Sequence, residues 1–232
     1  MTKLALFDFA NTLAELVPGR VDIVRNYIAE VAGILVEAQY IKYAYQALDM
    51  YMPYSSVAIC SAEQKQIFYD RYNKRLLDHL ALSHIVDSTG MHGAFLAAKP
   101  HWHLKSGVIE ALTEIRASGW QIGIISNFDG NLENLLSEQL GISHLVDYLH
   151  VSQVEGCEKP EPDFYLGFFS RHQIKIDETV YVGDSYILDF LPAKKLGLRV
   201  WLIDEDGFFG FMPDSIRCIN ELPDRLLTGA SV

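Results

Sequence analysis

Strand-like and helix-like segments alternate regularly through the second half of the chain, and this alternation constrains the fold more than any other feature. Apolar runs at 121–126 (QIGIIS) and 179–183 (TVYVG) predict buried strands. A weaker run predicts a strand at 147–152, and a further run predicts one at 198–203. The helices predicted around these strands cover 107–118, 131–140, 162–172 and 187–196. The alternation predicts an α/β fold, Rossmann-like, with a mostly parallel sheet covered by helices on both faces.

The first half of the chain is predicted to be helical apart from one strand at its start. The apolar run at 3–9 predicts a buried strand that joins the same sheet. After it, apolar residues recur at steps of three and four, and no strand is predicted between 15 and 100. The helices are predicted at 21–39, 41–52, from Ser61 to about 79 and, in pieces around Gly90 and Gly93, at 83–98. Residues 15–102 are therefore predicted to form a helical domain inserted into a core domain made of 1–14 and 103–232.

Composition excludes several classes of protein. Half of the residues are apolar and 21% are charged, a balance that disordered chains lack. The 30 acidic and 19 basic residues give a net charge of −11, which disfavours binding to nucleic-acid phosphates. Three widely spaced cysteines, Cys60, Cys157 and Cys218, are typical of a reducing compartment. No apolar run approaches the roughly 20 residues of a membrane span. We expect a soluble cytoplasmic protein without a membrane or nucleic-acid partner, and the oligomeric state is left open.

Polar side chains follow the carboxyl ends of the predicted strands, where open α/β sheets bind their ligands. They are Asp8, Ser126, Asn127, Lys159, Asp184 and Asp189. An aspartate such as Asp8 can act as a nucleophile. Lys159 and Ser126 can hold the anionic oxygens of a phosphoryl group. Asp184 and Asp189 can hold Mg²⁺, which prefers one or two carboxylates together with water and phosphate oxygens. The set predicts phosphoryl transfer to Asp8.

These segments resemble the motifs of the haloacid dehalogenase superfamily. LALFDFANTL is similar to its first motif, which carries the nucleophile, and the segment ending in QIGIISN is similar to its second. EKPEPDFY resembles the third motif, with its lysine, and VGDSYILDF resembles the acidic fourth motif. The resemblance covers about 3–14 and 103–205, and it implies that the helical insertion is a cap over the active site. It implies the nucleophile Asp8, the phosphoryl contacts Ser126 and Asn127, the charge-stabilising Lys159, and Mg²⁺ bound by Asp8, Asp184, Asp189 and the backbone carbonyl of Ala10.

Ala10 departs from the pattern of the phosphatases in this superfamily. They carry a second aspartate at this place, which protonates the leaving oxygen and later activates water. Loss of a general acid and base typically costs about 10²–10⁴-fold in rate. We interpret the chain as a phosphatase whose acid/base residue has been changed to Ala10, which traps a bound state. Two alternatives remain open: chemistry that needs no acid, as in the phosphonate hydrolases with alanine here, and a binding protein that has lost turnover.

The function predicted from the sequence is Mg²⁺-dependent hydrolysis of a small phosphorylated metabolite, such as a sugar phosphate or a nucleotide, with impaired turnover. The first alternative is a carbon–phosphorus hydrolase of the phosphonatase type, which would need Lys42 or Lys65 of the predicted cap to form a Schiff base. The second alternative is a catalytically inactive protein that binds a phosphorylated metabolite. A metal-independent dehalogenase is disfavoured, because Asp184 and Asp189 suit a cation.

Overall fold

The computed structural model describes residues 3–52, 55, 59 and 61–227. The chain divides into two compact units, which we call the core unit (Met1–Glu15 with Leu104–Val232) and the helical unit (Leu16–His103). These boundaries lie one residue after the predicted ones. Cys60 lies outside the described residues, whereas Cys157 and Cys218 are free thiols. Among the described residues, no helix is both long enough and apolar enough to cross a bilayer.

The described residues form two sheets. Their strands, in chain order, are β1 (Leu4–Phe7), β2 (Ala14–Val17), β3 (His101–Leu104), β4 (Gln121–Ser126), β5 (Tyr148–Val151), β6 (Thr179–Gly183), β7 (Arg199–Ile203) and β8 (Ser215–Ile216). The larger sheet has the order β5-β4-β1-β6-β7-β8, and every pairing in it is parallel. The smaller sheet pairs β2 with β3. The predicted α/β fold with a mostly parallel sheet is confirmed.

Helices precede, connect and follow the strands. In chain order they are α1 (Arg20–Ala32), α2 (Ala38–Tyr51), α3 (Ala62–His79), α4 (Thr89–Ala98), α5 (Val108–Ala117), α6 (Leu132–Asn134), α7 (Ser152–Glu155), α8 (Pro162–His172), α9 (Leu191–Lys195) and α10 (Leu222–Leu227). Two π-helical turns extend this set, Leu135–Gln139 after α6 and Tyr186–Phe190 before α9.

Strand β1 lies in the middle of the larger sheet, and all four of its residues are buried. It pairs with β4 on one side and with β6 on the other, so that Leu6 lies between Gly123 and Tyr181. A strand buried on both faces needs apolar residues at every position, which explains the continuous run in the sequence. Aromatic side chains of α8, including Phe164 and Phe168, pack into the same core.

The helical unit has its own apolar core. Helices α1 to α4 contribute buried side chains to it, among them Val24, Ile28, Leu48 and Leu76. Helix α3 begins with the predicted capping box: the Gln64 backbone N–H donates to Ser61 Oγ over 3.1 Å, and the Ser61 backbone N–H donates to Gln64 Oε1 over 3.0 Å. This pair satisfies two amides of the first turn, which lack partners inside the helix.

Several predicted boundaries were wrong. The helix predicted at 21–39 ends at Ala32, because Gly33 adopts a left-handed φ of 68° and closes the last turn. Helix α4 runs through Gly90 and Gly93 without a break. Packing explains why position 90 is a glycine, since a Cβ there would lie 2.5 Å from the Tyr27 hydroxyl. The short strand β2 extends past residue 15, where no strand was predicted, and β8 and α10 were not predicted at all.

Candidate active site

The nucleophile candidate Asp8 comes directly after β1, at the carboxyl end of the central strand. Its backbone N–H donates to the Val182 carbonyl over 2.9 Å, which continues the pairing with β6 by one residue. Its side chain is 9% exposed. A tight turn follows, in which the Leu13 N–H donates to the Phe9 carbonyl over 2.9 Å and Asn11 has a left-handed φ of 60°. The turn gives residue 10 a defined place two residues after Asp8.

The ammonium group of Lys159 lies between two carboxylates. Its Nζ is 2.7 Å from Asp8 Oδ1 and 2.7 Å from Asp189 Oδ1, and its side chain is 2% exposed. Asn127 holds the backbone of the same residue: its Oδ1 accepts from the Lys159 N–H over 2.8 Å, and its Nδ2 donates to the Lys159 carbonyl over 2.9 Å. Asn127, directly after β4, therefore fixes the position of the loop that carries Lys159.

Ser126, the last residue of β4, is buried and donates its hydroxyl to Asp8 Oδ1 over 3.0 Å. Lys159 donates to the same oxygen. Two donors on one oxygen restrict rotation of the Asp8 carboxylate, so that its orientation is set before a substrate arrives. The predicted role of Asn127 as a phosphoryl contact stays a prediction, and its side-chain amide is engaged at both ends with Lys159.

Asp184 and Asp189 follow β6 and complete the acidic set. Asp184 is half-buried and accepts from Thr12 Oγ1 over 3.0 Å. Asp189 is buried, and its Oδ2 accepts from the Ser185 backbone N–H over 3.0 Å. Gly183 permits this close approach, because a Cβ on it would lie 2.4 Å from Asp189 Cγ. A larger residue at the end of β6 would displace the carboxylate.

The carboxylates of Asp8, Asp184 and Asp189 each offer an oxygen within 4.8 Å of the others. Their charges oppose one another: partial burial, then Asp8, then Asp189 raise the pKa of Asp184 to about 8. Burial raises the pKa of Asp8, although Lys159 opposes the rise. Burial also opposes the charge on Lys159, but Asp189 and Asp8 outweigh it and raise the lysine pKa. One ammonium thus faces three carboxylates. A divalent cation would displace the proton that the raised pKa favours on Asp184 and would offset the repulsion among the carboxylates, and oxygen ligands of this kind fit Mg²⁺.

Two residues that the sequence did not single out for a role contact this cluster. Tyr181, fully buried in β6, donates its hydroxyl to Asp189 Oδ1 over 2.7 Å, and its oxygen lies 3.4 Å from Lys159 Nζ. Burial, with Asp189 next, raises the pKa of Tyr181 well above 10, so that the hydroxyl stays a donor. Thr12 is the second residue that contacts the cluster, because its hydroxyl donates a hydrogen bond to Asp184. The sequence carries no local signal for the role of Tyr181, because its type indicates only a strand position.

The structure brings Asp8, Ser126, Lys159, Asp184 and Asp189 together at one edge of the sheet. The cation binding assigned to the Ala10 backbone carbonyl stays a prediction, as do the chemical roles of the other residues. Position 10 carries only a methyl group, so its side chain has no proton to exchange.

Comparison with known proteins gives the family. A model of the family described as haloacid dehalogenase-like hydrolase matches residues 2–197. The haloacid dehalogenase-like hydrolase domain-containing protein 3 of Mus musculus is 29% identical over 102 residues, 44% of this chain and 40% of that protein. The glyceraldehyde 3-phosphate phosphatase of Methanocaldococcus jannaschii is 36% identical over 109 residues, 45% of this chain and 43% of that protein.

Solved structures agree on the fold. The magnesium-bound crystal structure of the putative HAD-hydrolase YfnB from Bacillus subtilis matches with a TM-score of 0.67 at 16% identity, over 99% of both chains. At this identity the likeness shows the fold alone. The sequence matches to the mouse protein and to the Methanocaldococcus jannaschii phosphatase cover less than half of the length of those two relatives.

Proposed function

The chain belongs to the haloacid dehalogenase-like hydrolases, and from this premise we propose that it is a Mg²⁺-dependent phosphomonoester hydrolase that forms a covalent phosphoryl intermediate on Asp8. The observation that carries the proposal is the Asp8 carboxylate held by Lys159 and Ser126 beside two further carboxylates. The substrate we propose is a small phosphorylated metabolite, such as a sugar phosphate or a nucleotide. A relative named as a glyceraldehyde 3-phosphate phosphatase supports this class.

Each residue has a role in the proposed reaction. Asp8 attacks phosphorus through a carboxylate oxygen, and its orientation is set by the two donors on Oδ1. Lys159 and Ser126, which donate to the same Asp8 oxygen, would also hold equatorial phosphoryl oxygens as negative charge redistributes. Asp189 and Tyr181 keep the lysine in place.

The residues present fit a magnesium ion. Asp8, Asp184 and Asp189 would hold it, with the Ala10 carbonyl as a fourth proposed ligand. The ion would supply charge compensation for the phosphoryl group beside the carboxylates. Both oxygens of Asp189 already accept hydrogen bonds, so we expect Asp184 to contribute more to affinity. Calorimetric titration with MgCl₂ should show binding to the unaltered protein and a loss of at least about 10-fold in affinity in Asp184→Asn. Equal affinity in both proteins would contradict this assignment.

We propose that turnover is impaired because Ala10 cannot exchange protons. Ala10→Asp should raise hydrolysis across a panel of alkyl phosphomonoesters by at least about 10²-fold. Ala10→Asn is the matched control, because it is nearly the same size but carries no exchangeable acid. Asp8→Asn combined with Ala10→Asp should abolish the gain. No gain with Ala10→Asp on any ester would count against the proposed function.

Ala10 also keeps a second candidate open, a carbon–phosphorus hydrolase. That reaction needs an amine that forms a Schiff base with an aldehyde, and Lys42 on α2 and Lys65 on α3 are the candidates considered. Borohydride treatment with an aldehyde phosphonate should leave a covalent adduct on one of them. Absence of an adduct would remove this candidate.

A further inference from the structure

The lack of an acid at position 10 restricts the bond that the site can break. Asp8 and residue 10 are separated by Phe9, which is fully buried and packs edge-on against Phe128 with ring centroids 5.3 Å apart. Asp8 and Ala10 flank this anchored residue, and Ala10 pairs with Ala14 through an isolated bridge. Position 10 is therefore held in the turn that begins two residues after Asp8.

The groups that donate to Asp8 and Asp184 do not replace the missing acid, and the other two carboxylates would carry no proton as ligands of the proposed magnesium ion. Lys159 and Ser126 donate to Asp8 itself, so they lie on the side of the attacking oxygen. In phosphoryl transfer the leaving oxygen departs roughly in line, on the opposite side of phosphorus. Thr12 donates its hydroxyl proton to Asp184. None of these three groups is placed to protonate a leaving oxygen.

The basicity of the leaving group decides how much the missing acid slows the reaction. An alkoxide is about as basic as hydroxide, the anion of a very weak acid, and it departs poorly without a proton. A carboxylate has a conjugate acid of pKa about 4, and a phosphate about 6. These anions depart without protonation, so an acid at position 10 would add little.

Resting on the proposed function of Asp8, we propose that the preferred substrates are phosphoryl donors whose leaving group needs no proton: acyl phosphates and phosphoanhydrides rather than alkyl phosphomonoesters. For an acyl phosphate, a bond forms between an Asp8 oxygen and phosphorus. The bond between phosphorus and the acyl oxygen breaks, and its electron pair leaves with the carboxylate.

The second half of the reaction lacks a base. Water must form a bond to phosphorus while the bond to Asp8 breaks, which regenerates the carboxylate and yields inorganic phosphate and a proton. For acetyl phosphate the sum is acetyl phosphate dianion plus water giving acetate, hydrogen phosphate and a proton. Without a group at position 10 to take that proton from water, the phosphorylated Asp8 should accumulate.

The test compares transient kinetics of the full chain with those of Ala10→Asp and Ala10→Asn. Acetyl phosphate and 4-nitrophenyl phosphate serve as donors with weakly basic leaving groups, and ethyl phosphate as the alkyl donor, all with MgCl₂. We expect a burst of about one acetate or nitrophenolate per chain, followed by slow turnover, and a rate with ethyl phosphate at least about 10²-fold below the burst rate. Ala10→Asp should remove the burst and raise the ethyl phosphate rate at least about 10²-fold, whereas Ala10→Asn should do neither.

Two failures are distinguishable. If the unaltered chain cleaves ethyl phosphate as fast as acetyl phosphate, or if Ala10→Asp changes both donors by the same factor, the leaving-group inference is wrong while the phosphatase function stands. If no donor phosphorylates the unaltered chain or Ala10→Asp, and Asp8→Asn behaves identically, the proposed function itself is wrong. Mass spectrometry of the acid-quenched protein, which detects a phosphoryl group on Asp8, separates the two cases.

Discussion

The two units each contain a cluster of a cation, a carboxylate and a tyrosine, and the clusters differ in burial. In the core unit, Lys159 bridges Asp8 and Asp189, and Tyr181 donates to Asp189 over 2.7 Å. The lysine side chain is 2% exposed. Water cannot reach these groups easily, so each charge depends on its protein partners.

In the helical unit, Arg20 pairs with Asp49 over 2.8 Å, and Tyr72 donates to Asp49 over 2.5 Å. Arg20 also lies over the ring of Tyr45, 4.1 Å from its centroid. Here the arginine side chain is 43% exposed and the aspartate 36%. Water can replace a lost partner at this site. Tyr72 itself is buried, but the ion pair beside it is half-exposed. Only the cluster of the core unit holds its charged groups away from water.

Removal of the cation should give the largest difference in stability between the two clusters. Lys159→Met leaves Asp8 and Asp189 buried without their ammonium, and we expect a loss of about 3–5 kcal/mol in the free energy of unfolding. Arg20→Met should cost no more than about 1 kcal/mol, because the exposed pair is screened by solvent. Urea titration of both variants measures the difference. Similar losses in the two variants would contradict the contrast in burial.

Removal of the tyrosine hydroxyl should follow the same order with a smaller effect. Tyr181→Phe deletes a buried hydrogen bond to a charged carboxylate, and the expected cost is about 1.5–3 kcal/mol. Tyr72→Phe deletes a bond to the half-exposed Asp49, which water can satisfy, and the expected cost is about 0.5–1.5 kcal/mol. Tyr181→Phe should also lower the rate of Asp8 phosphorylation. Tyr72→Phe serves as the folding control, and its circular dichroism spectrum should be unchanged. A larger cost for Tyr72→Phe would reverse the comparison.

Steric crowding at Asp189 tests how tightly the buried cluster is packed. Gly183→Ala places a Cβ 2.4 Å from Asp189 Cγ, and we expect a loss of about 1–3 kcal/mol from the resulting displacement. Gly167→Ala in α8 is the matched control, because no atom beyond its chain neighbours and the backbone of its own helix lies within 4 Å of the added Cβ. The control should be neutral or stabilising by up to about 1 kcal/mol. Thermal unfolding with and without MgCl₂ measures both, and an unperturbed Gly183→Ala protein would show that the carboxylate has room to move.

The smallest effect is a pH dependence elsewhere in the core unit. His150 is 1% exposed and donates Nε2–H to the Phe164 carbonyl over 2.9 Å. Burial lowers its pKa below 6.5, although Glu155 opposes the shift. The folded state thus binds its proton less readily than the unfolded state. The contribution of neutral His150 to the free energy of unfolding is complete above about pH 6.5. It declines as the pH falls below that value, by up to about 1.4 kcal/mol per pH unit.

Unfolding free energies measured between pH 8 and pH 5 should decline less steeply in His150→Gln than in the unaltered protein. His144→Gln, at an exposed position, is the control and should leave the slope unchanged. A slope that is identical in all three proteins would show that His150 stays unprotonated in both states or is protonated equally in both.

Much of the site was accessible from local sequence signals. The positions of Asp8 and Ser126 followed from the apolar runs that precede them, and the capping box at Ser61 predicted the start of α3 correctly. The helix predicted across Gly33 was wrong, because apolar spacing alone does not reveal where a glycine takes a left-handed conformation. Tyr181 read only as a strand residue, since nothing local shows what its hydroxyl meets.

By itself, the sequence determined the kind of sheet, the strand ends that carry polar residues, and the absence of an acid at position 10, because these depend on neighbouring residues along the chain. Only the tertiary structure decided that one ammonium would lie 2.7 Å from both Asp8 and Asp189, and that Asn127 would hold the lysine backbone. These contacts join residues far apart in the chain. They exist because β1 lies between β4 and β6 in one register, which brings three separate loops to the same edge of the sheet.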